Sequence, residues 1–425
     1  MEKSDLELAQ IASPRVVRDK EDVPLFRSSM PELDAVRGIA ILMVLFYHGL
    51  FWSHDLGKAH GLARYILLFT KPGWLGVELF FVLSGFLITG ILLKAKGRPH
   101  YYKNFYLRRV LRIMPAYFAL VLILKLLGMA HWSFILVCAL FLGNLSGLLG
   151  VPMDYGPLWS LGVEEQYYLL WPTAVRYLDK KRLSILCVAI CLADPLLRFV
   201  SFECGLKEGL YFYTWFVLDG LIMGSMMALW LNQGNVPRKA VRNWAFLLTG
   251  FGAITLAAGA PFGILTRNRP LGAAFQYTPW CIIFSGFILA VLLVGTSRYA
   301  SWVTARPLRF FGEISYGLYL VHMLAFSLVD KLLVDIWPGF PVIRQELWPM
   351  LLSFTLASLL AIALSTLSRY TFEQWFLNLK ARLAPSGERE VQMPRLPTDT
   401  EFRMGEVEPQ PLSEAAVVAS PTDRN

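Results

Sequence analysis

Apolar stretches close to the length of a membrane-spanning helix recur along the chain, and short polar segments separate them. A spanning helix needs about 20 predominantly apolar residues, and most of the stretches approach that length. The pattern predicts an all-α fold, a polytopic membrane helical bundle with no soluble domain between its spans. The eleven stretches cover residues 39–52, 74–93, 116–130, 133–150, 158–178, 183–200, 210–231, 244–262, 274–295, 310–329 and 348–367.

Basic residues in the connecting segments predict the orientation of the bundle, because loops rich in Lys and Arg remain on the cytoplasmic side. The segment between the second and third stretches is expected to be cytoplasmic. The basic clusters at residues 180–182 and 238–242 lie on the same, cytoplasmic side only if one of the apolar stretches does not cross the membrane. Residues 133–150 are the best candidate, since their glycine-rich end disfavours a helix. We therefore predict about ten transmembrane helices and one re-entrant or broken segment near residues 133–157, which we expect to line a cavity.

The composition agrees with a membrane protein. Of the 425 residues, 56% are hydrophobic and 17% charged, whereas globular proteins carry about 25% charged residues. The mean hydropathy is +0.49. The net charge of +9 is attributed to cytoplasmic basic loops, so nucleic acid is not an expected partner.

The polar ends of the chain frame a membrane domain over residues 33–368. Residues 1–32 lack the apolar core of a signal peptide, so they predict a cytoplasmic N-terminal segment and an uncleaved first span. Residues 369–384 predict an interfacial amphipathic helix. Residues 385–425 are rich in Pro, Glu, Ser and Thr and predict a disordered cytoplasmic tail. Both termini are thus expected on the cytoplasmic side of the cytoplasmic (inner) membrane.

An arginine just before the first apolar stretch and a histidine within it give the strongest sign of chemistry. On a helix, the eleven steps from Arg37 to His48 return to within roughly 20° of the same face and rise about 16 Å, half of a bilayer core. Asp34 lies three residues before Arg37, near that face, and is a candidate to orient it. Titratable groups at membrane depth usually face the bundle interior and mark a pathway or a reaction. Histidine suits general-base or nucleophilic catalysis because it titrates near neutral pH.

Aromatic and basic residues alternate between the second and third stretches, where Arg108, Arg109 and Arg112 are candidates for cofactor binding. On a helix, Arg109 and Arg112 share a face. The planar fork of arginine suits phosphate oxygens, so one interpretation is a clamp for a multiply phosphorylated cytoplasmic cofactor. The other interpretation is an interfacial anchor that follows the positive-inside rule.

Further polar residues give weaker signals, each with a structural alternative. One interpretation of Glu164 is a carboxylate near a solvated helix start, where the helix dipole stabilises it. In the other, Glu164 points into a cavity and binds an acceptor hydroxyl or orients the histidine. Ser84 and Gly85 favour close helix packing. His322 is a candidate to touch substrate, although a hydrogen-bonded structural histidine is the more common case. Other candidates for buried polar groups are Glu78, Asp194, Asp219 and Glu313.

Several catalytic classes leave motifs that this sequence lacks. It has no G-x-x-x-x-G-K-[ST], no G-x-S-x-G and no H-E-x-x-H, which argues against an ATPase, a soluble-type serine hydrolase and a zinc enzyme. The five cysteines form no C-x-x-C pair, and no Cys/His grouping has metal-ligand spacing. No metal is therefore expected.

Five segments, taken in order, resemble the motifs of the acyltransferase 3 family of integral membrane acyltransferases, which includes O-antigen and exopolysaccharide O-acetylases. They span roughly residues 31–378. They are Arg37 with ten residues to His48, Phe-Phe-Val-Leu-Ser-Gly-Phe-Leu-Ile, Arg-Arg-Val-Leu-Arg-Ile-Met-Pro, Trp-Ser-Leu-Gly-Val-Glu and Ile-Ser-Tyr-Gly-Leu-Tyr-Leu-Val-His.

The resemblance implies transfer of an acyl group, often acetyl, from cytoplasmic acyl-CoA to a hydroxyl of an extracytoplasmic or lipid-linked glycan. It implies that Arg37 and His48 stand at the acyl-transfer site and that Arg109 and Arg112 hold CoA. Glu164 takes the place of the acid in the Trp-Ser-Leu motif. Expected partners are membrane lipid and a hydroxyl-bearing acceptor.

Two alternatives concern function and domain content. A transporter or flippase for a lipid-linked glycan or acyl group would use its intramembrane charges as relay or binding groups. Some family members add a further span and an SGNH hydrolase-type domain, and the tail of about forty residues is too short for one. The acceptor is therefore expected to be handled by the membrane domain alone or by a partner protein.

Overall fold

The fold is all-α in a computed structural model that describes residues 25–27, 29–234 and 236–383, and these ranges contain no strand. The predicted fold class is confirmed. The helices of the described ranges are numbered in chain order. They are α1 Pro31–Phe46, α2 Gly61–Thr70, α3 Gly76–Ala95, α4 Tyr101–Leu126, α5 Trp132–Ala139, α6 Leu158–Tyr177, α7 Lys180–Glu203, α8 Asp219–Leu231, α9 Arg238–Gly259, α10 Pro270–Phe275, α11 Thr278–Gly295, α12 Ala300–Val303, α13 Arg306–Ile336, α14 Phe340–Ile343, α15 Leu347–Ser368 and α16 Gln374–Leu383.

Seven helical segments of the described chain are long and apolar enough to cross a membrane. Helices α4 and α6, with 26 and 20 residues, reach the length of a span but are less apolar. The protein is a polytopic helical membrane protein, and the count of about ten crossings stays a prediction. The seven segments are Pro31–Trp52, Gly61–Ala95, Lys180–Glu203, Arg238–Phe262, Pro270–Gly295, Ala300–Ile336 and Leu347–Leu379.

Two helices begin at places that hydropathy alone did not predict. Helix α4 starts well before the apolar stretch at residue 116, because Tyr101 and Phe105 lie one helical turn apart and bury their rings in the core. Helix α8 starts later than residue 210. Side chains bind backbone carbonyl oxygens in the segment before it: Asn144 donates to Phe212 O, and Arg198 donates to Phe216 O.

The segment predicted to be re-entrant or broken is irregular. It consists of the eight-residue helix α5, the 3₁₀ turn Gly143–Leu145 and a connection of turns and bends to α6. Gln166 on α6 donates to Asn144 Oδ1 at 2.9 Å, and the Tyr155 hydroxyl donates to Leu320 O at 2.7 Å. Protein therefore covers this backbone, as irregular structure at membrane depth requires. Contrary to expectation, the segment does not line the cavity described below.

Helices α3 and α8 pack closely because each has a glycine at their contact. A Cβ atom on Gly85 would lie 1.8 Å from Leu221 O, and one on Gly224 would lie 1.9 Å from Val82 O. This geometry agrees with the packing interpretation of Gly85. Its neighbour Ser84 instead lines the cavity.

We expect Gly85→Leu to lower the free energy of unfolding by about 1–3 kcal/mol or more, because the new side chain overlaps backbone atoms of α8. Thermal unfolding of the detergent-purified protein, followed by fluorescence-detected size-exclusion chromatography, measures the loss. Gly250→Leu in α9 is the matched control, since a Cβ atom there meets nothing within 4 Å. Equal melting temperatures for the two variants would contradict the prediction.

Helix α1 packs along α13, which also contacts α15. Pro31 at the first position and two acidic residues in the first turn suit the start of α1, since proline and negative charge are favoured there. A Cβ atom on Gly312 of α13 would lie 1.9 Å from Asp34 O, so the two backbones nearly touch.

Helix α1 ends in a π-helical turn, Tyr47–Trp52, that contains His48. Such turns are rare and occur frequently at functional sites.

The last described helices continue from one another. Helix α15 passes through the π-helical turn Arg369–Glu373 into α16, which packs against α4. The helix predicted over residues 369–384 is thus present as far as Leu383, and its position at a membrane surface stays a prediction. The expectations for residues 1–24 and 385–425 lie outside the described residues.

Candidate active site

A cavity of about 190 Å³ lies between α1, α3, α4, α6 and α13. Its described lining is largely apolar and aromatic, with four charged residues: Arg37, Arg109, Arg112 and Glu164. The sequence singled out all four, and they come from three different helices. Three cations against one carboxylate give the cavity an excess of positive charge, which favours an anionic ligand.

Asp34 orients the Arg37 side chain. Arg37 Nη1 lies 2.5 Å from Asp34 Oδ1, and the two partly exposed residues are three positions apart on α1. Because a guanidinium has five N–H donors, this ion pair fixes the group and leaves further donors for a ligand. Asp34 therefore has the supporting position that its spacing predicts.

Glu164 faces the cavity almost two turns after the start of α6. The Tyr168 hydroxyl donates to Glu164 Oε2 at 3.2 Å, and Ser84 Oγ lies 2.6 Å from the same hydroxyl. This chain of polar groups holds the carboxylate in one orientation. The position agrees with the cavity interpretation of Glu164 rather than with a solvated helix start.

His48 contacts a second histidine, His322 on α13. His48 Nδ1 lies 3.2 Å from His322 Nε2 and 3.1 Å from Val44 O. On its other side, His322 Nδ1 lies 2.7 Å from Tyr319 O. The His322 side chain is fully buried. The backbone bonds agree with the structural interpretation of His322, and its contact with substrate stays a prediction.

These contacts assign the proton positions of the two neutral rings. A carbonyl oxygen only accepts, so Nδ1 of His322 carries the proton and its Nε2 is an acceptor. His48 therefore donates from Nδ1 to His322, and its own Nε2 keeps an unprotonated lone pair. A basic nitrogen oriented by a third group is the arrangement that a general base or a nucleophile needs.

The side chains of α13 separate His48 from the cavity. Tyr319 lines the cavity, its ring centroid lies 5.7 Å from that of His322, and the two histidine rings are 5.0 Å apart. His48 is not among the described lining residues, and neither is Arg108. The sequence predicted that Arg37 and His48 lie on one face of a helix. In the structure, Arg37 lines the cavity and His48 lies behind Tyr319 and His322.

A buried ion cluster lies apart from the cavity. Arg198 Nη2 is 3.0 Å from Asp219 Oδ2, and both side chains are fully buried. Cys281 Sγ donates to Glu78 Oε2 at 3.4 Å. Glu78, Asp219 and Cys281 bring one potential metal ligand each within 4.8 Å of one another. The Arg198 guanidinium already supplies Asp219 with the positive charge that a metal ion would bring.

Some residues of interest have no clear signal in the sequence. Tyr168 and Tyr319 could have been found only by their helical spacing, four residues after Glu164 and three before His322. Arg198 gave no signal because a lone arginine in an apolar stretch does not reveal its partner. Among the remaining candidates, Asp194 is buried, whereas Glu313 is exposed.

The chain belongs to the acyltransferase 3 family, because the family model, described as an acyltransferase domain, matches residues 30–370. The chain is 26% identical over 79% of its length to the peptidoglycan O-acetyltransferase OatA of Listeria monocytogenes. It is 27% identical over 69% to a Bacillus subtilis protein named "Putative peptidoglycan O-acetyltransferase YrhL". It covers 54% and 48% of these relatives, so it spans about half their length. No solved structure matches the chain.

This membership confirms the family resemblance seen in the sequence. Within this family, the described residues of the chain form a helical membrane domain.

Proposed function

We propose that this protein moves an acyl group, in the first place acetyl, from cytoplasmic acyl-CoA to a hydroxyl of a glycan on the opposite side of the membrane. The observation that carries the proposal is the cavity, where three arginines and a carboxylate converge. The names of the Listeria monocytogenes and Bacillus subtilis relatives refer to peptidoglycan. A peptidoglycan or lipid-linked glycan is therefore the acceptor that we propose.

The excess of arginine supports a phosphorylated donor. Arginine forms short, paired hydrogen bonds with phosphate oxygens, and Arg109 and Arg112 present two such groups from one face of α4. We propose that they bind the phosphates of CoA, with Arg108 at the adjacent position of the helix. The thioester then points toward Arg37.

His48 acts as general base or as acyl carrier. In direct transfer, Nε2 takes the proton of the acceptor hydroxyl while the oxygen attacks the thioester carbonyl. The C–S bond then breaks, and the departing thiolate takes that proton from the imidazolium. In two-step transfer, Nε2 attacks the carbonyl, the C–S bond breaks, and the Nδ1 proton of the acyl-imidazolium passes to the thiolate, so that CoA leaves as the thiol. The acceptor hydroxyl then attacks the acyl-imidazole, the acyl C–N bond breaks, and the hydroxyl proton returns to the imidazole.

The remaining site residues support either route. Arg37, oriented by Asp34, holds the CoA donor in the cavity. Glu164 binds the acceptor hydroxyl. Because Tyr319 and His322 stand between the cavity and His48, we propose that the Tyr319 ring moves aside when the donor binds. The proposed location is the cytoplasmic (inner) membrane, with both termini cytoplasmic.

Reconstitution of the full chain in liposomes with acetyl-labelled acetyl-CoA tests this function. We expect release of the CoA thiol that depends on added peptidoglycan fragments, with the label recovered as a base-labile ester on the glycan. Liposomes that contain a variant with His48 replaced provide the background rate. Movement of a lipid-linked glycan across the membrane without thiol release would instead identify a transporter or flippase.

A further inference from the structure

A second pocket lies at the start of α4, separate from the cavity. It encloses about 300 Å³. None of the described residues that line it is acidic, so its positive charges meet no carboxylate within the pocket. Its lining combines basic and aromatic side chains: Arg98, His100, Tyr101, Tyr102, Lys103 and Arg176.

Residues of α4 and α6 line both this pocket and the cavity, at two different heights along the helices. At the pocket, the guanidinium of Arg176 on α6 packs 5.4 Å from the ring centroid of Tyr101 on α4. Between the two levels, the Tyr106 hydroxyl donates to Leu169 O at 2.9 Å. Residues of the same two helices then line the cavity. The helices run antiparallel, and a ligand that follows them would contact both sites.

A row of arginines on α4 joins the two levels. Arg108 and Arg112 come seven and eleven residues after Tyr101, which places all three within roughly 20° of one helical stripe. Arg109 likewise follows Tyr102 by seven residues. The rise from Tyr101 is about 10 Å to Arg108 and about 16 Å to Arg112. Arg108, which does not line the cavity, thus lies on the path between the pocket and the cavity.

We propose that the second pocket binds the 3′-phosphate and the adenine ring of acyl-CoA, while the 5′-diphosphate follows Arg108 and Arg109. This inference rests on the proposed donor. Arg98, Lys103 and Arg176 provide charged donors for the phosphate. The half-buried Tyr102, whose ring already stacks parallel to that of Tyr106 at a centroid distance of 6.3 Å, provides the aromatic stack that adenine would extend.

Two donors that differ only in the 3′-phosphate test the assignment. Binding of acetyl-CoA and of acetyl-dephospho-CoA to the detergent-purified full chain is measured by isothermal titration calorimetry. We expect the unmodified protein to prefer acetyl-CoA by about tenfold to a hundredfold, the effect of hydrogen bonds to a charged group. In the double variant Arg98→Ala/Lys103→Ala, whose two side chains are exposed, this preference is expected to fall by about tenfold, because Arg176 remains as a single charged donor.

Two further variants locate the effect. Arg109→Ala is expected to weaken the binding of both donors by the same factor and to keep the ratio of their affinities, because Arg109 would contact the diphosphate that both donors contain. Lys181→Ala removes an exposed cation at the start of α7, outside the pocket lining, and is expected to leave both affinities unchanged.

An unchanged ratio in the Arg98→Ala/Lys103→Ala protein would overturn the pocket assignment and leave the proposed donor standing. If the unmodified protein binds neither donor, acyl-CoA itself is wrong as the donor, and the assignment falls with it. Mass spectrometry of co-purified lipid tests the alternative ligand. If the Arg98→Ala/Lys103→Ala protein loses anionic phospholipid but keeps its ratio of donor affinities, the pocket is a lipid headgroup site and the proposal is overturned.

Discussion

His48→Ala is expected to lower the rate of acetyl transfer by about 10²–10⁴-fold, the contribution of a positioned general base. The substitution removes the only nitrogen that can take the acceptor proton or carry the acyl group in the proposed mechanism. Arg109 and Arg112 remain in the cavity, so we expect the affinity for acetyl-CoA to stay unchanged. Initial rates of thiol release and calorimetric binding on the same preparation separate the two effects.

His54→Ala is the matched control for this experiment. His54 lies two residues beyond the end of the same span, is buried, and bonds to Leu50 O through Nδ1 at 2.8 Å. Its loss therefore reproduces the removal of a buried, backbone-bonded imidazole, and we expect normal transfer rates. Normal transfer by His48→Ala protein that retains its melting temperature would show that His48 is neither base nor acyl carrier.

The residues of the cavity could be predicted because each signal is local to one helix. The ion pair between Asp34 and Arg37 follows from a spacing of three on a helix, and the same spacing places Arg109 and Arg112 on one face. Glu164 was visible as an acid within an otherwise apolar stretch. The membrane fold itself follows from the length of the apolar stretches, since a bilayer sets the length of a span.

Contacts between distant parts of the chain could not be predicted in the same way. His48 and His322 are 274 residues apart, and helical periodicity gives the buried face of each helix without saying which helices meet. The same limit hid Tyr319 as a barrier between the cavity and His48. Hydropathy also misplaced the start of α4, because it treats the basic residues as a loop and takes no account of the burial of Tyr101.

We expect His322→Leu to lower the turnover number by about 10²-fold, the cost of a misplaced catalytic group, and to leave the KM for the donor unchanged. His322→Gln is expected to retain much of the rate, because its amide oxygen can accept the proton on His48 Nδ1. The pair of variants separates positioning from packing. Leucine fills this fully buried site without polar atoms, whereas a buried amide without partners costs stability. A histidine needed only for packing would therefore be replaced better by leucine than by glutamine.

The tautomer of His48 provides a measurement that does not depend on turnover. The chain has six histidines, so ¹⁵N solid-state NMR of histidine-labelled protein in liposomes gives few signals, and the His48→Ala protein assigns one of them by its loss. We expect Nδ1 of His48 to be protonated and its Nε2 to be unprotonated in the unmodified protein.

In the His322→Leu protein, Val44 O is the acceptor that remains for His48 Nδ1, and it already accepts the backbone N–H of Tyr47. Neutral imidazole in water prefers its proton on Nε2, so His48 should shift toward that form as activity falls. A proton on Nε2 in the unmodified protein, or faster turnover with leucine than with glutamine, would show that His322 does not position His48.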